Sequence, residues 1–227
     1  MMQVLGDFVR FFTQPKPILK VAYEEGDVIE DPINVSIRNG IRLLGKPKDL
    51  SGIKWLDQLD DTSELKTFYT WINEARLFIP RRPWSCESTP LVHFLKPERI
   101  EKITELYQPG GKLAHVIDLH KSRKIYRSKD RWVVFAIVCG SRPTCLTTFL
   151  DGENAGSIFF LTMDPELNYL KPIAKSFNSL LTKIQNDPVD FLQQVRAQVP
   201  ISRKDGFSYT YRPIEYFASR ELTPELA

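Results

Sequence analysis

A change of period in the middle of the chain constrains the fold more than any other feature. The stretches "KLAHVIDLH", "IYRS", "RWVVFAIVC", "CLTTFLD" and "GSIFFLT" are short, rich in β-branched and aromatic residues, and separated by clusters of Gly, Ser, Asp and Lys. They read as successive strands of an antiparallel sheet, with "CGSRPTC" as a hairpin connection. A doubly wound parallel sheet would need a helix between one strand and the next. Strands that stand together, with helical periods before and after, define an α+β fold: a single, mainly antiparallel sheet covered by amphipathic helices.

The flanking helices are read from punctuation and spacing. Asp31 and Pro32 can start a helix whose Ile33, Ile37, Ile41 and Leu44 share a face, with Gly45 after its end. Thr62 or Ser63 caps a second, with Leu65, Phe68, Tyr69 and Ile72 inward. "LKPERIEKITELYQPGG" gives a third, begun near Pro97 and stopped by Pro109 and Gly110. Leu170, Ile173, Ala174, Phe177, Leu180, Leu181 and Ile184 mark a long one, and another opens at Asp187 and Pro188. "IPRRPWSCESTP" cannot continue a helix and is expected as a loop or edge strand. The tail "FSYTYRPIEYF" mixes a strand with a short helix.

With 227 residues, 42% hydrophobic and 26% charged, the chain can bury a substantial core. No apolar run approaches the roughly 18 to 20 residues that cross a bilayer, so a soluble, cytoplasmic protein is expected. Cys86, Cys139 and Cys145 are too few and too irregular for a secreted disulfide framework. A net charge of +3 permits an acidic partner without requiring one.

The order of motifs resembles the SUKH superfamily, which includes bacterial immunity proteins and the fungal cell-wall synthesis regulator. The residues that carry it are Asn73, Trp132, Phe135, Ala136, Asp151, Gly156, Ile158, Ala174, Phe177 and Leu181, while Glu74 and Ala75 stand where that family usually has glycine. The resemblance covers residues 31–186, with 1–30 as an N-terminal extension and 187–227 as a C-terminal helix and tail packed on the domain. It implies a protein-binding immunity protein that neutralises a cognate toxin by steric blocking.

The residues themselves offer few chemical sites. In a strand, "HVIDLH" would place Asp118 and His120 on one face and His115 on the other; two ligands on one face fall short of the three that a catalytic zinc needs, so a further group such as His93 would have to come from elsewhere, and a polar pair on the sheet face is the simpler reading. Cys139 and Cys145 stand at the shoulders of the hairpin, where a redox link is geometrically conceivable and buried free thiols are the simpler reading. There is no "GxSxG", "HExxH", paired CxxC or phosphate-cradling glycine loop. No catalytic residue, metal or cofactor is therefore assigned.

Partner contacts are expected at two places. One is the loop after the second helix, with Trp71, Arg81, Arg82 and Trp84, because exposed Trp and Arg dominate binding hot spots. The other is "HKSRKIYRSKDR", read as a basic strand-turn-strand tip with Lys121, Arg123, Lys124, Tyr126 and Arg127. Such a tip suits an acidic protein groove, or phosphates if the chain binds nucleic acid. A toxin is the leading partner, a regulatory or scaffold role is the alternative, and nucleic acid ranks below both.

Overall fold

In a computed structural model the described residues are 2–13, 17–23, 33–43, 50–60, 63–81, 89–118, 123–126, 129–142, 144–162, 171–202 and 209–214. Seven of their strands form one sheet: β1 (Pro17–Tyr23), β2 (Ile33–Leu43), β3 (Ala75–Arg81), β4 (Val92–Phe94), β5 (Trp132–Val138), β6 (Thr144–Phe149) and β7 (Ile158–Thr162). Spatial order equals chain order and every neighbouring pair is antiparallel, so the sheet is a meander. A separate hairpin joins β8 (Gln198–Ser202) to β9 (Tyr209–Pro213). The α+β architecture with one main antiparallel sheet is the one read from the sequence.

The helices are α1 (Met2–Thr13), α2 (Lys54–Asp57), α3 (Glu64–Trp71), α4 (Pro97–Tyr107), α5 (Ala114–Asp118), α6 (Arg123–Tyr126), α7 (Phe177–Asn186) and α8 (Pro188–Gln194). Ser63, Ser176 and Asp187 accept hydrogen bonds from backbone N–H groups in the first turns of α3, α7 and α8, which satisfies donors that a helix start leaves unpaired. Pro97 occupies the first turn of α4, where its missing N–H costs nothing.

β5, β6 and β7 are buried on both faces, apart from Ile137 of β5, because helices lie on each side. On one side α1, α3 and α7 pack their phenylalanines: Phe8, Phe68 and Phe177 meet Phe94 of β4, and Phe177 also meets Phe135 of β5. On the other, Tyr126 meets Trp132 edge-to-face and Phe149 at a tilt and shares a hydrogen bond with Thr147, while α4 lies along β5. Side chains of residues 1–30, 31–186 and 187–227 join one buried cluster, represented by Phe8, Phe94 and Phe191.

Several local expectations are corrected. Residues 33–43 form β2, not a helix. Ile33, Ile37 and Ile41 stand four apart, a spacing that period two also satisfies, and β-branched Val35 completes the alternation. Asn39 and Gly40 fall where the β2–β3 register shifts, a position where strand glycines mark bulges. "HVIDLH" is not a strand either: Leu113, Val116 and Ile117 turn inward at helical spacing, which makes α5.

The basic tip is likewise no strand-turn-strand, since Arg123–Tyr126 is one helical turn. The helix read from Leu170 begins instead at Phe177. Pro172 disfavours helical geometry at Lys171, and Ile173 and Ala174 exchange backbone hydrogen bonds with Ile158 at the edge of β7. Finally, "IPR" extends β3 as far as Arg81, so the start of the proline-rich stretch lies inside the sheet.

Candidate functional site

From Glu74 into β3 the residues "EARL" alternate polar and apolar, so Ala75 and Leu77 enter the core while Glu74 and Arg76 turn to the opposite face. Arg76 pairs in register with His93 of β4, His93 with Ile137 of β5, and Ile137 with Cys145 of β6. Facing residues of neighbouring strands lie on one side of a sheet, so these four form a row across it. The row emerges from the core as it crosses the strands. Cys145 is buried against Tyr107 of α4, whereas Ile137 is 37% exposed and the Arg76 side chain 36%. Among the described residues the body of α4 lies along β5, and on the same face of β3 and β4 the Arg76 and His93 side chains are partly exposed.

Glu74 anchors this open face. Its side chain is 3% exposed, and its Oε1 lies 2.5 Å from His93 Nε2 and 3.5 Å from Arg76 Nη2, while Oε2 lies 3.6 Å from Lys96 Nζ. Burial alone would raise the Glu74 carboxyl, but the hydrogen bond from His93, the charge that this ring takes up in acid, and the Arg76 and Lys96 charges outweigh it and hold the group below the ordinary glutamate range. Burial lowers His93, and the nearby Arg76 and Arg99 add to the effect against the pull of Glu74. The ring is therefore neutral at pH 7 and donates its Nε2–H to the carboxylate. That bond fixes the tautomer and leaves Nδ1 as an acceptor, with no partner among the described residues.

Arg76 and Lys96 thus stand at the Glu74 carboxylate and Arg99 near the His93 ring, leaving an excess of positive charge on a partly exposed face. Lys96 also ends the chain segment before α4 and provides no side-chain cap there, so the positive end of that helix adds to the field. Such an arrangement holds an imidazole in one orientation and presents cations to solvent.

The expected contact residues separate. Trp71 is 58% exposed at the C-terminal end of α3, three residues before Glu74. Arg81 is the last residue of β3; Arg82, Trp84, Lys121 and Arg127 lie outside the described residues. Arg123 and Lys124 belong to the single turn of α6. Tyr126 is corrected: it is 5% exposed, with its ring against Trp132 and Phe149, and belongs to the core rather than to a contact surface.

The other sequence candidates do not assemble. His115 is exposed on α5, and His120 and Cys86 lie outside the described residues. Cys145 faces Ile137, so Cys139 is not its opposite number; both thiols are free, and burial pushes them up to about 12 and about 11. A cleft of about 270 Å³ opens where α3 and α7 begin. Its polar groups serve as caps: Ser63 and Ser176 each bond their own helix, and Glu64 accepts from the backbone and side-chain N–H groups of Asn178.

Fold and site together define an α+β protein with a seven-stranded antiparallel meander and a partly uncovered, positively charged sheet face. Among the described residues no helix is long and apolar enough to cross a membrane. In comparisons with known proteins, no family model, curated protein or solved structure matches the chain.

Sequence reasoning singled out Glu74 as a departure from a glycine position and His93 as a distant companion of "HVIDLH". It did not bring the two together. The signal was present in the polar alternation of "NEAR" and "VHF", but pairing residues 19 positions apart requires the β3–β4 register.

Proposed function

We propose that the chain is a protein-binding domain that neutralises a partner by covering it, with a toxin as the partner class implied by the SUKH resemblance, and that it acts in the cytoplasm. The contact surface is the open face of β3 and β4, with Trp71, three residues before Glu74 in the chain, as a second exposed group at the end of α3. The reading is carried by the exposure of Trp71 at 58% and Ile137 at 37%, against a core of fully buried aromatics. Ile137 lies in one register row with His93 and Arg76, and exposed Trp and Arg side chains are the types that dominate hot spots. Arg81 ends β3, and Arg82 and Trp84, expected from the sequence as contact residues, lie outside the described residues.

The excess of cations favours an acidic partner. The free thiols of Cys139 and Cys145 favour a reducing compartment. A regulatory or scaffold role would use the same surface on a different partner.

The test is co-expression with the product of the adjacent upstream gene. The expected outcome is a stable complex that removes the partner's toxicity, with Trp71→Ala weakening it by about tenfold or more, the range of a hot-spot truncation. An uncomplexed neighbour whose toxicity is unchanged would overturn the immunity reading. Generic, salt-dependent RNA or DNA binding in its place would overturn protein recognition altogether.

A further inference from the structure

We propose that the His93 ring is a receptor for one carboxylate of the partner protein, which docks on Nδ1 between Arg76, Lys96 and Arg99 and draws one proton from solvent onto that nitrogen as it binds. The inference rests on the protein-binding reading and adds the chemistry of the central contact.

Four observations converge on it. His93 keeps 19% of its side chain exposed, so the ring is reachable from solvent. Its Nε2 is fixed on Glu74, which orients Nδ1 and leaves it without a partner among the described residues. Arg76 has a buried Nε without a hydrogen-bond partner, and its 3.5 Å approach to Glu74 is long, so its guanidinium retains capacity for an acceptor. Lys96, 43% exposed, sits 3.6 Å from Glu74 and can turn toward a second anion.

Charge balance then selects the ligand. With His93 neutral, Glu74 is the one acid recorded against three cations, Arg76 and Lys96 at its carboxylate and Arg99 near the His93 ring. From β5 the facing residue is the uncharged Ile137, and on β2 the register position beside Arg76 belongs to Arg42. A carboxylate arriving there meets net positive charge. Its own field favours the imidazolium, so His93 would become doubly hydrogen-bonded between Glu74 and the partner's acid. No covalent bond changes; one proton leaves solvent and rests on Nδ1. Ile137 beside the ring offers the apolar contact that excludes water from the pair.

The probe is an end-blocked hexaglutamate peptide, titrated into the full chain while the ring signals of His93 are followed by NMR between pH 5 and 8. The expected result is movement of the His93 signals, a rise in its apparent pKa on saturation, and affinity that increases by up to about tenfold per pH unit lowered, the limit for uptake of one proton. His93→Gln retains an amide donor for Glu74 but cannot titrate. It should bind the peptide with little pH dependence, whereas Arg76→Gln with Lys96→Gln should lose the binding, each variant being checked for wild-type circular dichroism.

The inference is overturned if the peptide leaves the His93 signals unmoved or if His93→Gln keeps the full pH dependence. If the co-expressed partner still forms its complex with His93→Gln at wild-type affinity across that pH range, this anchor is wrong and the protein-binding reading survives. If no partner binds the wild-type chain while the peptide does, the reverse holds.

Discussion

At the scale of single residues, the Glu74–His93 pair ties stability to pH in one direction. An unfolded histidine takes up its proton near the ordinary value of about 6.5, before the folded ring does, because the folded pKa is lowered. Acidification through that window therefore favours unfolding. Glu74 contributes stability above the ordinary glutamate value of about 4.3, and that contribution is lost as pH falls through its lowered folded pKa. Thermal melts from pH 8 to pH 3 should show Tm falling in both windows. His93→Gln should abolish the upper fall, and an unchanged upper fall would assign it to another group. None of this pairing was legible in advance: Glu74 and His93 are visible in the sequence as an odd acid and an isolated histidine, and a sheet register is needed to make them neighbours.

At the scale of elements, β5 illustrates how a helix compensates for an irregular strand. Its register against β6 shifts between Val134 and Ala136, and the Val134 N–H is bonded at 2.9 Å by the Thr104 hydroxyl of α4, which itself donates to Ile100 O. Thr104→Val keeps the shape and removes the acceptor, leaving a buried N–H unpaired. Urea unfolding should register a loss of about 1 to 3 kcal/mol, while Thr104→Ser, which retains the hydroxyl, should recover most of it. The end of α4 is also specific. Gly110 has φ of +88°, and a Cβ on Gly111 would come within 2.2 Å of Glu105 O and 2.4 Å of Leu106 O. Gly111→Ala should therefore lower the unfolding midpoint, and an unchanged midpoint would contradict this close approach. The "QPGG" stop was readable from the sequence because proline and glycine act locally. The elements misread were those where one spacing fits two periods, as in Ile33, Ile37 and Ile41, or where five residues with two adjacent apolar ones, as in "AHVID", resemble a strand and are settled by what they pack against.

For the whole molecule, a continuous aromatic layer links segments far apart in the chain. Phe8 and Phe12 of α1 contact Phe94 and Phe78, Phe78 contacts Phe191 of α8, and Phe94 contacts Phe68 and Phe177. Phe8→Ala should cost about 3 to 5 kcal/mol, the range for truncating a buried phenylalanine, and equilibrium unfolding would reveal a smaller loss if α1 were only loosely applied. The clustering of strands made the sheet legible, and the amphipathic periods made most helices legible. What could not be read was which part of the sheet the helices leave uncovered, because that depends on where α4 to α6 stop across the strands. On the proposed reading this part of the sheet, on β3 and β4, receives the partner. Hydrogen exchange of the free chain and of its complex with the co-expressed partner tests it most directly. Slowed exchange in Trp71–Arg76 and Val92–Lys96 is the predicted result; unchanged exchange there, with protection confined to another surface, would contradict it.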